Sequence, residues 1–469
     1  MKHVHFIGIG GFGLSAIARI LLERGYTVSG SDSHTSPLFV SIEEAGAVTF
    51  LGHNATNIVG SDLVIRSSAI PDANPEVEAA IANGIPVYKR SDFLTELTQG
   101  QDTLAIAGSH GKTTTTAMLI WILNQLGLDP SFIAGGVVKQ LNTNAQAGTG
   151  QYFIIEADEY DHMFLGLAPK IAIITNIEHD HPDCFPTRDE YQQAFKAFLE
   201  KLQPDGTAII CMDDPEARAL AIQAKASGKQ IYGYGVDHQA DYFVDQIRAV
   251  NNTMQFQLIF RNPGMVPNNL GNVTLQIPGH HNVLNAAAVL STIHHLGLPL
   301  NKAIQALSQF TGAGRRFEIL GTVNQITVID DYGHHPTEIR TTIEAARTLY
   351  PNRKIWAVWQ PHTYTRTKRL ENDFVEALDL ADRVVVLPIF AAREKDPGYS
   401  SRGIVSILSG KKAVYMEDFD AAHTYLSNQL EPDDMMIVFS AGDATKISQD
   451  VLKSLQEEVQ NTVQEVNHD

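Results

Sequence analysis

A lysine between a glycine and a run of hydroxyls, Gly111-Lys112-Thr113-Thr114-Thr115-Thr116, is the residue pattern of this chain best suited to holding phosphate. It follows an apolar run, Thr103 to Ala107, that reads as a buried strand, and precedes Ala117 to Leu123, which reads as a helix. Between them lie Gly108, Ser109 and His110. A glycine loop between strand and helix lets backbone N–H groups converge on an anion. The helix dipole and the lysine add positive charge, and the hydroxyl of Thr113 is placed to ligate magnesium. The pattern is a shortened G-x-x-G-K-T, because Ile106 stands where an ordinary phosphate loop has its first glycine. It points to use of a nucleoside triphosphate; a bare glycine turn is the alternative.

Further chemistry-bearing residues sit at predicted strand ends. Gly8, Gly10 and Gly13 form a G-x-G-x-x-G turn, with Asp32 closing the next strand and placed to hold a ribose hydroxyl. That geometry serves NAD or any other pyrophosphate, a UDP-sugar included. Glu156 ends the strand Tyr152 to Ile155, where nucleotide enzymes place a magnesium carboxylate. His181 follows the strand Ile171 to Thr175, so Thr113, Glu156 and His181 are expected to meet at the metal, although magnesium prefers oxygen to imidazole. His281 and Asn285 lie four apart on one helix face, and Asn285 has the donor and acceptor an adenine edge needs. Two later loops, Asp330 to Thr337 and Gln360 to Thr367, end neighbouring predicted strands; Arg315, Arg316 and Arg366 can clamp carboxylate or phosphate.

The elements that must position these residues alternate between strand and helix. Strands are predicted at His3 to Ile7, Thr27 to Gly30 and Leu63 to Arg66, with a helix over Leu14 to Arg24, a Rossmann-like unit. Met254 to Leu258 and Val273 to Ile277 alternate apolar and polar residues and predict a small extra sheet. A third α/β block has strands at Ile326 to Ile329, Ile355 to Trp359, Val384 to Leu387 and Met436 to Phe439. From about Gln456 the chain is polar and acidic and is expected to fray. The fold class is α/β in three domains: a Rossmann-like N-terminal domain (1–100), a central P-loop-type ATPase domain with the extra sheet (101–312), and a C-terminal Rossmann-like α/β domain (313–469).

A length of 469 residues allows two to four domains, and 44% hydrophobic with 19% charged residues is a globular composition. Two cysteines, Cys184 and Cys211, exclude a disulfide scaffold and fit a reducing cytoplasm. The N-terminus enters a strand directly and lacks the features of a secretory signal, and no apolar run is long enough to predict a membrane span. A net charge of −18 argues against a nucleic-acid partner. The expected state is a cytoplasmic monomer or homodimer.

Taken together, these motifs resemble those of the Mur ligases, ATP-dependent enzymes that attach amino acids to a nucleotide-linked muramic acid. The resemblance runs from His5-Phe6-Ile7-Gly8-Ile9-Gly10-Gly11 to Ser440–Ile447, and is most specific at Gly108–Thr116, Glu156–Glu159, His281–Asn285, Arg315–Glu318, Asp330–Ile339 and Gln360–Thr367. It implies that Gly8, Gly10, Gly11, Gly13, Asp32, Ser67 and Ser68 bind the UDP-sugar. It implies ATP contacts from Gly108, Ser109, His110, Gly111, Lys112, Thr113, Thr114, His281, Asn285, Arg316 and Asp331, with magnesium at Thr113, Glu156 and His181. Lys112, His335, His362 and Arg366 are the implied catalytic residues, and the third domain is expected to close over both substrates. The implied reaction joins L-alanine to the lactyl carboxylate of UDP-N-acetylmuramate through an acyl phosphate, in peptidoglycan precursor synthesis. Glu156–Asp161 and His181–Phe185 also resemble a recycling branch that attaches the tripeptide L-Ala-γ-D-Glu-meso-diaminopimelate. Some Mur ligases carry a carbamylated lysine near the metals; Phe195 or Lys196 falls there, Phe195 in the better register, and phenylalanine excludes the carbamate. A dehydrogenase would leave Gly108–Thr116 and Glu156 unexplained, and the full set of Lys112, Glu156, His181 and the late loops argues against a protein that only senses a nucleotide or binds a UDP-sugar.

Overall fold

In the computed structural model, which describes residues 2–262, 264–392, 394–408 and 412–466, the chain folds around three β-sheets. It divides into two compact units. The first comprises Met1–Ile247, Phe256–Thr274 and Val283–Thr311; the second comprises Arg248–Gln255, Leu275–Asn282 and Gly312–Asp469.

The first sheet holds β1 (His3–Ile7), β2 (Thr27–Asp32), β3 (Val48–Leu51), β4 (Leu63–Arg66) and β5 (Val87–Lys89) in the order β3-β2-β1-β4-β5, all parallel. Strand order reverses between β1 and β4, so a crevice opens at their C-terminal ends, where the Gly8–Gly13 turn lies. Val4 and Phe6 pack into one core while Ile7 and Val64 pack into another, as a sheet buried on both faces requires. The helix Phe12–Glu23 starts two residues before the predicted Leu14.

In the central sheet, β6 (Asp102–Ala107), β7 (Ser131–Val138), β8 (Thr143–Gln146), β9 (Tyr152–Glu156), β10 (Ile171–Ile174), β11 (Thr207–Cys211), β12 (Gln230–Gly235), β13 (Tyr242–Val250), β14 (Thr253–Phe260) and β15 (Asn268–Leu275) take the order β15-β14-β13-β12-β11-β10-β6-β9-β7-β8. The phosphate-loop strand β6 is flanked by β9 and β10, which puts Glu156 beside Ile106 and Ile174 beside Ala107. The segments predicted as an extra sheet run on from the edge of this one, with β13 joined to β12 only at Tyr234↔Tyr242 and Gly235↔Phe243. Asn251 and Asn252, both at positive φ, make the two-residue turn between β13 and β14.

The third sheet holds β16 (Glu318–Val323), β17 (Ile326–Asp331), β18 (Lys354–Trp359), β19 (Arg383–Val386), β20 (Ala413–Tyr415) and β21 (Asp434–Phe439) in the order β16-β17-β21-β18-β19-β20, parallel except for β16. Met435, Ile437 and Phe439 of β21 face one helical layer while Met436 and Val438 face the other. The last helix runs Thr445–Val466, through Gln456 where fraying was expected, and is anchored by Ile447, Val451 and Leu455, which are buried against β21 and its neighbours. Residues 467–469 lie outside the described residues. Among the described residues no helix is long and apolar enough to cross a membrane.

The first glycine turn is held from below by a buried polar network. Ser31 O accepts hydrogen bonds from Gly8 N and Ile9 N at 2.8 and 3.1 Å. Its hydroxyl donates to Glu76 Oε2 at 2.5 Å, and Asn57 Nδ2 donates to Glu76 Oε1 at 2.6 Å. His5 Nε2 lies 3.6 Å from Glu76, and both side chains are fully buried. Burial alone would raise the Glu76 pKa, but the nearby His5 and the hydrogen bonds from Ser31 and Asn57 outweigh it and hold the carboxyl at about 2, against an ordinary 4.5. Glu76→Ala is expected to cost about 3 kcal/mol in urea unfolding at neutral pH, since it strands buried partners; a loss below about 1 kcal/mol would show that the network is dispensable. Because the folded carboxyl titrates lower than the unfolded one, its contribution is complete above the ordinary value and is lost as pH falls towards 2. The gap between wild type and variant should therefore narrow in acid.

Candidate active site

Gly111 caps the helix Lys112–Gln125 in the left-handed region, at φ +82°, a conformation that costs glycine little and other residues more. The loop before it is tied to the neighbouring strand end. Asn176 O accepts from Ser109 N at 3.1 Å, its Oδ1 accepts from His110 N at 2.9 Å, and its Nδ2 donates to His110 O at 3.0 Å. Thr175 Oγ1 donates to His110 O at 2.6 Å and fills the space a Cβ on Gly108 would need. Asn285 places its carboxamide against Gly111, where a Cβ would come within 2.8 Å of Oδ1. The side chains of Thr113 and Thr114 are buried in the first turn of the helix.

Thr113 Oγ1 donates to Glu156 Oε1 at 3.1 Å, and Gly135 N donates to Glu156 Oε2 at 2.6 Å. Gly135 has no room for a Cβ there. A hydroxyl and a carboxylate side by side are hard oxygen donors of the kind magnesium takes, so these two residues fit the ion. His181 stands apart from that pair: its polar contacts are with Glu159 Oε1 at 3.8 Å and Asp180 Oδ2 at 3.9 Å, and its ring meets Tyr160 edge-on. Of the three residues expected at the metal, Thr113 and Glu156 are in contact, and His181 faces Glu159, the partner of Lys112.

Glu159, quoted in the sequence motif without a role, organises the centre. Almost fully buried, it accepts from Lys112 Nζ at 2.7 Å through Oε2 and from the Tyr191 hydroxyl at 2.9 Å through Oε1. Lys112 also donates to Gly108 O at 2.5 Å. Burial would lower the Lys112 pKa, but the charges of Glu159, Asp158 and Glu156 raise it, so the lysine is a cation. Burial raises the Tyr191 pKa well above its ordinary value, keeping the phenol a donor. Phe195 packs edge-on to Phe164 and Tyr191 in this core, while Lys196 is exposed. Asn176 and Tyr191 were missed from the sequence. A Thr-Asn pair directly after four apolar strand residues was the available signal for the first; nothing local marked the second.

In the first glycine turn, Gly10 N donates to Asp32 Oδ2 at 2.9 Å, so the expected ribose ligand also braces the turn. Ser67 N donates to Ile7 O at 3.0 Å, and the Ser67 Cβ would lie 3.2 Å from a Cβ on Gly8. Gly8 and Ser67 are thus neighbours across the β1–β4 crevice. Gly11 N donates back to Gly8 O, and Ser68 follows Ser67 in the turn after β4.

The second unit gathers a separate group. Arg366 Nη1 meets His362 Nδ1 at 3.1 Å, and the His362 ring lies 5.6 Å from that of His334 and stacks on Phe390. Arg315 and Arg316 both lie over the Tyr332 ring, and Arg316 pairs with Glu338 at 3.5 Å. His335, the expected catalytic residue, is buried and caps the helix Pro336–Leu349, its Nδ1 accepting from Thr337 N at 3.4 Å. His334, not singled out from the sequence, is the neighbour of His362. Asp331 is buried and clamps two turns, accepting from Phe317 N at 2.8 Å and Gly333 N at 2.7 Å, and burial raises its pKa to about 6. His281 opens the helix His280–His295 beside Gly279, and burial pushes its pKa down to about 4, leaving a neutral ring.

Comparisons with known proteins extend over this whole frame. Three family models match in succession: the Mur ligase family catalytic domain over residues 3–102, the Mur ligase middle domain over 106–293, and the Mur ligase glutamate ligase domain over 315–442. A UDP-N-acetylmuramate–L-alanine ligase from Desulforamulus reducens is 40% identical over 463 residues, 97% of this chain and 98% of that protein. One of the same name from Renibacterium salmoninarum is 40% identical over 468 residues, 100% and 98% of the two chains. Among solved structures, the UDP-N-acetylmuramate–alanine ligase of Thermotoga maritima superposes with a TM-score of 0.82 at 28% identity, covering 98% of this chain and all of that one. A murein peptide ligase from Psychrobacter arcticus gives 0.70 at 26%, covering 97% and 99%. With the phosphate loop, the glycine turn and the late histidine–arginine loops all in place on three such domains, the chain belongs to the Mur ligase family.

Proposed function

We propose that this chain joins the amino group of L-alanine to the lactyl carboxylate of UDP-N-acetylmuramate, converting ATP to ADP and phosphate. The observation that carries the reading is the Lys112 ammonium, held as a cation beside Thr113 and Glu156 at the mouth of a glycine loop. It is supported by full-length relatives that carry the name of that ligase.

A carboxylate does not condense with an amine in water because oxide is too poor a leaving group. Phosphorylation supplies a better one. The lactyl carboxylate oxygen attacks the γ-phosphorus of ATP and the bond to ADP breaks, leaving an acyl phosphate. Two anions must approach for this, so Lys112 and the loop N–H groups have to offset charge on the transferring phosphoryl group. Thr113 and Glu156 would hold a magnesium ion, which adds positive charge at the phosphates. The neutral amine of alanine then adds to the carbonyl carbon, and the carbon–oxygen bond to phosphate breaks. The amine gives up one proton, which balances the charge of the departing phosphate.

His362 and Arg366 suit the carboxylate of the amino acid. A guanidinium has only donors, so His362 Nδ1 must accept from Arg366 and the ring proton sits on Nε2. In that tautomer His362 donates to an anion and is not the base for the amine.

Phosphate release from MgATP and UDP-N-acetylmuramate, with mass analysis of the product, tests the reading. Turnover is expected with L-alanine. Turnover only with L-Ala-γ-D-Glu-meso-diaminopimelate would move the chain to the recycling reaction, which the likeness to the Psychrobacter arcticus peptide ligase keeps as the second reading. Lys112→Ala should abolish phosphate release while leaving UDP-N-acetylmuramate affinity within about threefold, because the lysine acts on the phosphoryl group. Loss of both in a variant that still unfolds cooperatively would contradict the division of binding between the two glycine turns. Glycine, which lacks the methyl group, should be used roughly 10- to 200-fold less well than alanine, and serine, which adds a hydroxyl, about 100-fold less well; rejection beyond about a thousandfold would point to a more selective pocket than the one inferred.

A further inference from the structure

Arg90 opens the helix Arg90–Leu97, which connects β5 to β6. Its side chain crosses to the first glycine turn, and a Cβ on Gly13 would collide with Arg90 Nη1. Gly13 is therefore glycine for lack of room: the guanidinium occupies the space beside the first turn of the helix Phe12–Glu23. Gly13 is also the last glycine of the Gly8–Gly13 motif.

That placement is unfavourable for the resting protein. The N-terminus of a helix carries a partial positive charge, and a cation beside it is repelled. The side chain is about three-quarters buried, at 25% exposure, and burial lowers the Arg90 pKa. Its hydrogen-bonding partners among the described residues are poor ones. Nε donates to the thioether of Met163, a weak acceptor, and Nη2 stands 3.9 Å from Asp158 Oδ2, too far for a hydrogen bond. Arg66, after the neighbouring strand β4, shows the contrast: it donates to Ile70 O at 2.9 Å and pairs with Asp72 at 2.5 Å. A guanidinium carries five N–H donors in a planar fork suited to phosphate oxygens. Here the fork meets a glycine turn and a helix N-terminus with its Nη donors unmatched.

We infer that Arg90 binds the diphosphate of the nucleotide sugar, reaching it from beside Gly13. The inference rests on the reading of the Gly8–Gly13 turn as the nucleotide-sugar site. It adds a residue that the glycine motif does not contain, and a swap of partners: the phosphate oxygens replace the distant carboxylates of Asp158, Asp161 and Glu156 as the counter-charge of Arg90. Asp158 restrains the guanidinium in the free protein without satisfying it.

Calorimetric titration of the full-length protein without ATP tests this, with UDP-N-acetylmuramate, UDP and ADP as separate ligands. Arg90→Gln is expected to weaken UDP-N-acetylmuramate and UDP by about 10- to 100-fold, the range for loss of charge-assisted hydrogen bonds, with ADP affinity within about threefold of wild type. Arg90→Lys should recover only part of the loss, because an ammonium cannot make the paired contact. Asp158→Asn should bind UDP as tightly as wild type or more tightly, since it releases the guanidinium to the phosphates. UDP affinity unchanged in Arg90→Gln, while wild type binds normally, would overturn the role of Arg90 and leave the nucleotide-sugar reading intact. Equal weakening of UDP and ADP, with matching falls in melting temperature for Arg90→Gln and Asp158→Asn, would make Arg90 a structural brace only. Failure of wild type to bind UDP or its muramoyl derivative would instead overturn the reading of the turn itself.

Discussion

An ammonium group buried at the mouth of a glycine loop needs a counter-charge, and the arrangement of the central sheet follows from meeting that need. Lys112 finds it in Glu159, whose other oxygen is fixed by the Tyr191 hydroxyl. Tyr191 in turn reaches Ser109, within the same loop, at 2.8 Å. The lysine, the loop and the helix Arg188–Leu199 that carries Tyr191 are thus bound into one hydrogen-bonded ring. An isolated buried charge costs several kcal/mol, and a paired and hydrogen-bonded one is tolerated. The aromatic packing of Phe164, Phe195 and Tyr191 serves that ring by keeping water from the carboxylate.

Parallel topology explains how residues distant in sequence come to share the centre. Every parallel strand delivers its C-terminal end to the same edge of its sheet, and β6 lies between β9 and β10. The loop after β6, Glu156 at the end of β9 and Asn176 after β10 therefore converge without any long irregular segment. The same geometry in the first sheet sets Gly8 against Ser67 across the point where strand order reverses. Positive φ at His181 and Thr363, in the loops that carry the expected site residues, marks where the backbone departs from easy conformations to aim a side chain.

Strand positions were legible because parallel strands buried on both faces read as short apolar runs bounded by polar residues. β1 and β4 are found with the bounds read from sequence, and β6, β9 and β18 within a residue of them. The last helix is harder to bound from sequence, because its buried apolar positions Ile447, Val451 and Leu455 give way from Gln456 to acidic and amide residues. In the candidate site, residue types inside compact motifs were legible, and relations between motifs were not. Thr113 and Glu156 belong to separate strings that strand order joins. That His335 also caps the helix starting at Pro336 depends on where that helix begins. Arg90 and Gly13 are too far apart in the chain for any local pattern to connect them.

The two glycine turns share an electrostatic design. Each keeps a cation, Lys112 or Arg90, and each cation faces a carboxylate from the single stretch Glu156-Ala157-Asp158-Glu159 at the end of β9. A protein with a net charge of −18 that takes two polyanionic substrates has to present positive charge locally without leaving it bare. Carboxylates beside each cation achieve this, and the two pairs differ in strength. Lys112 and Glu159 meet at 2.7 Å and remain a full hydrogen bond, whereas Arg90 and Asp158 are 3.9 Å apart and do not.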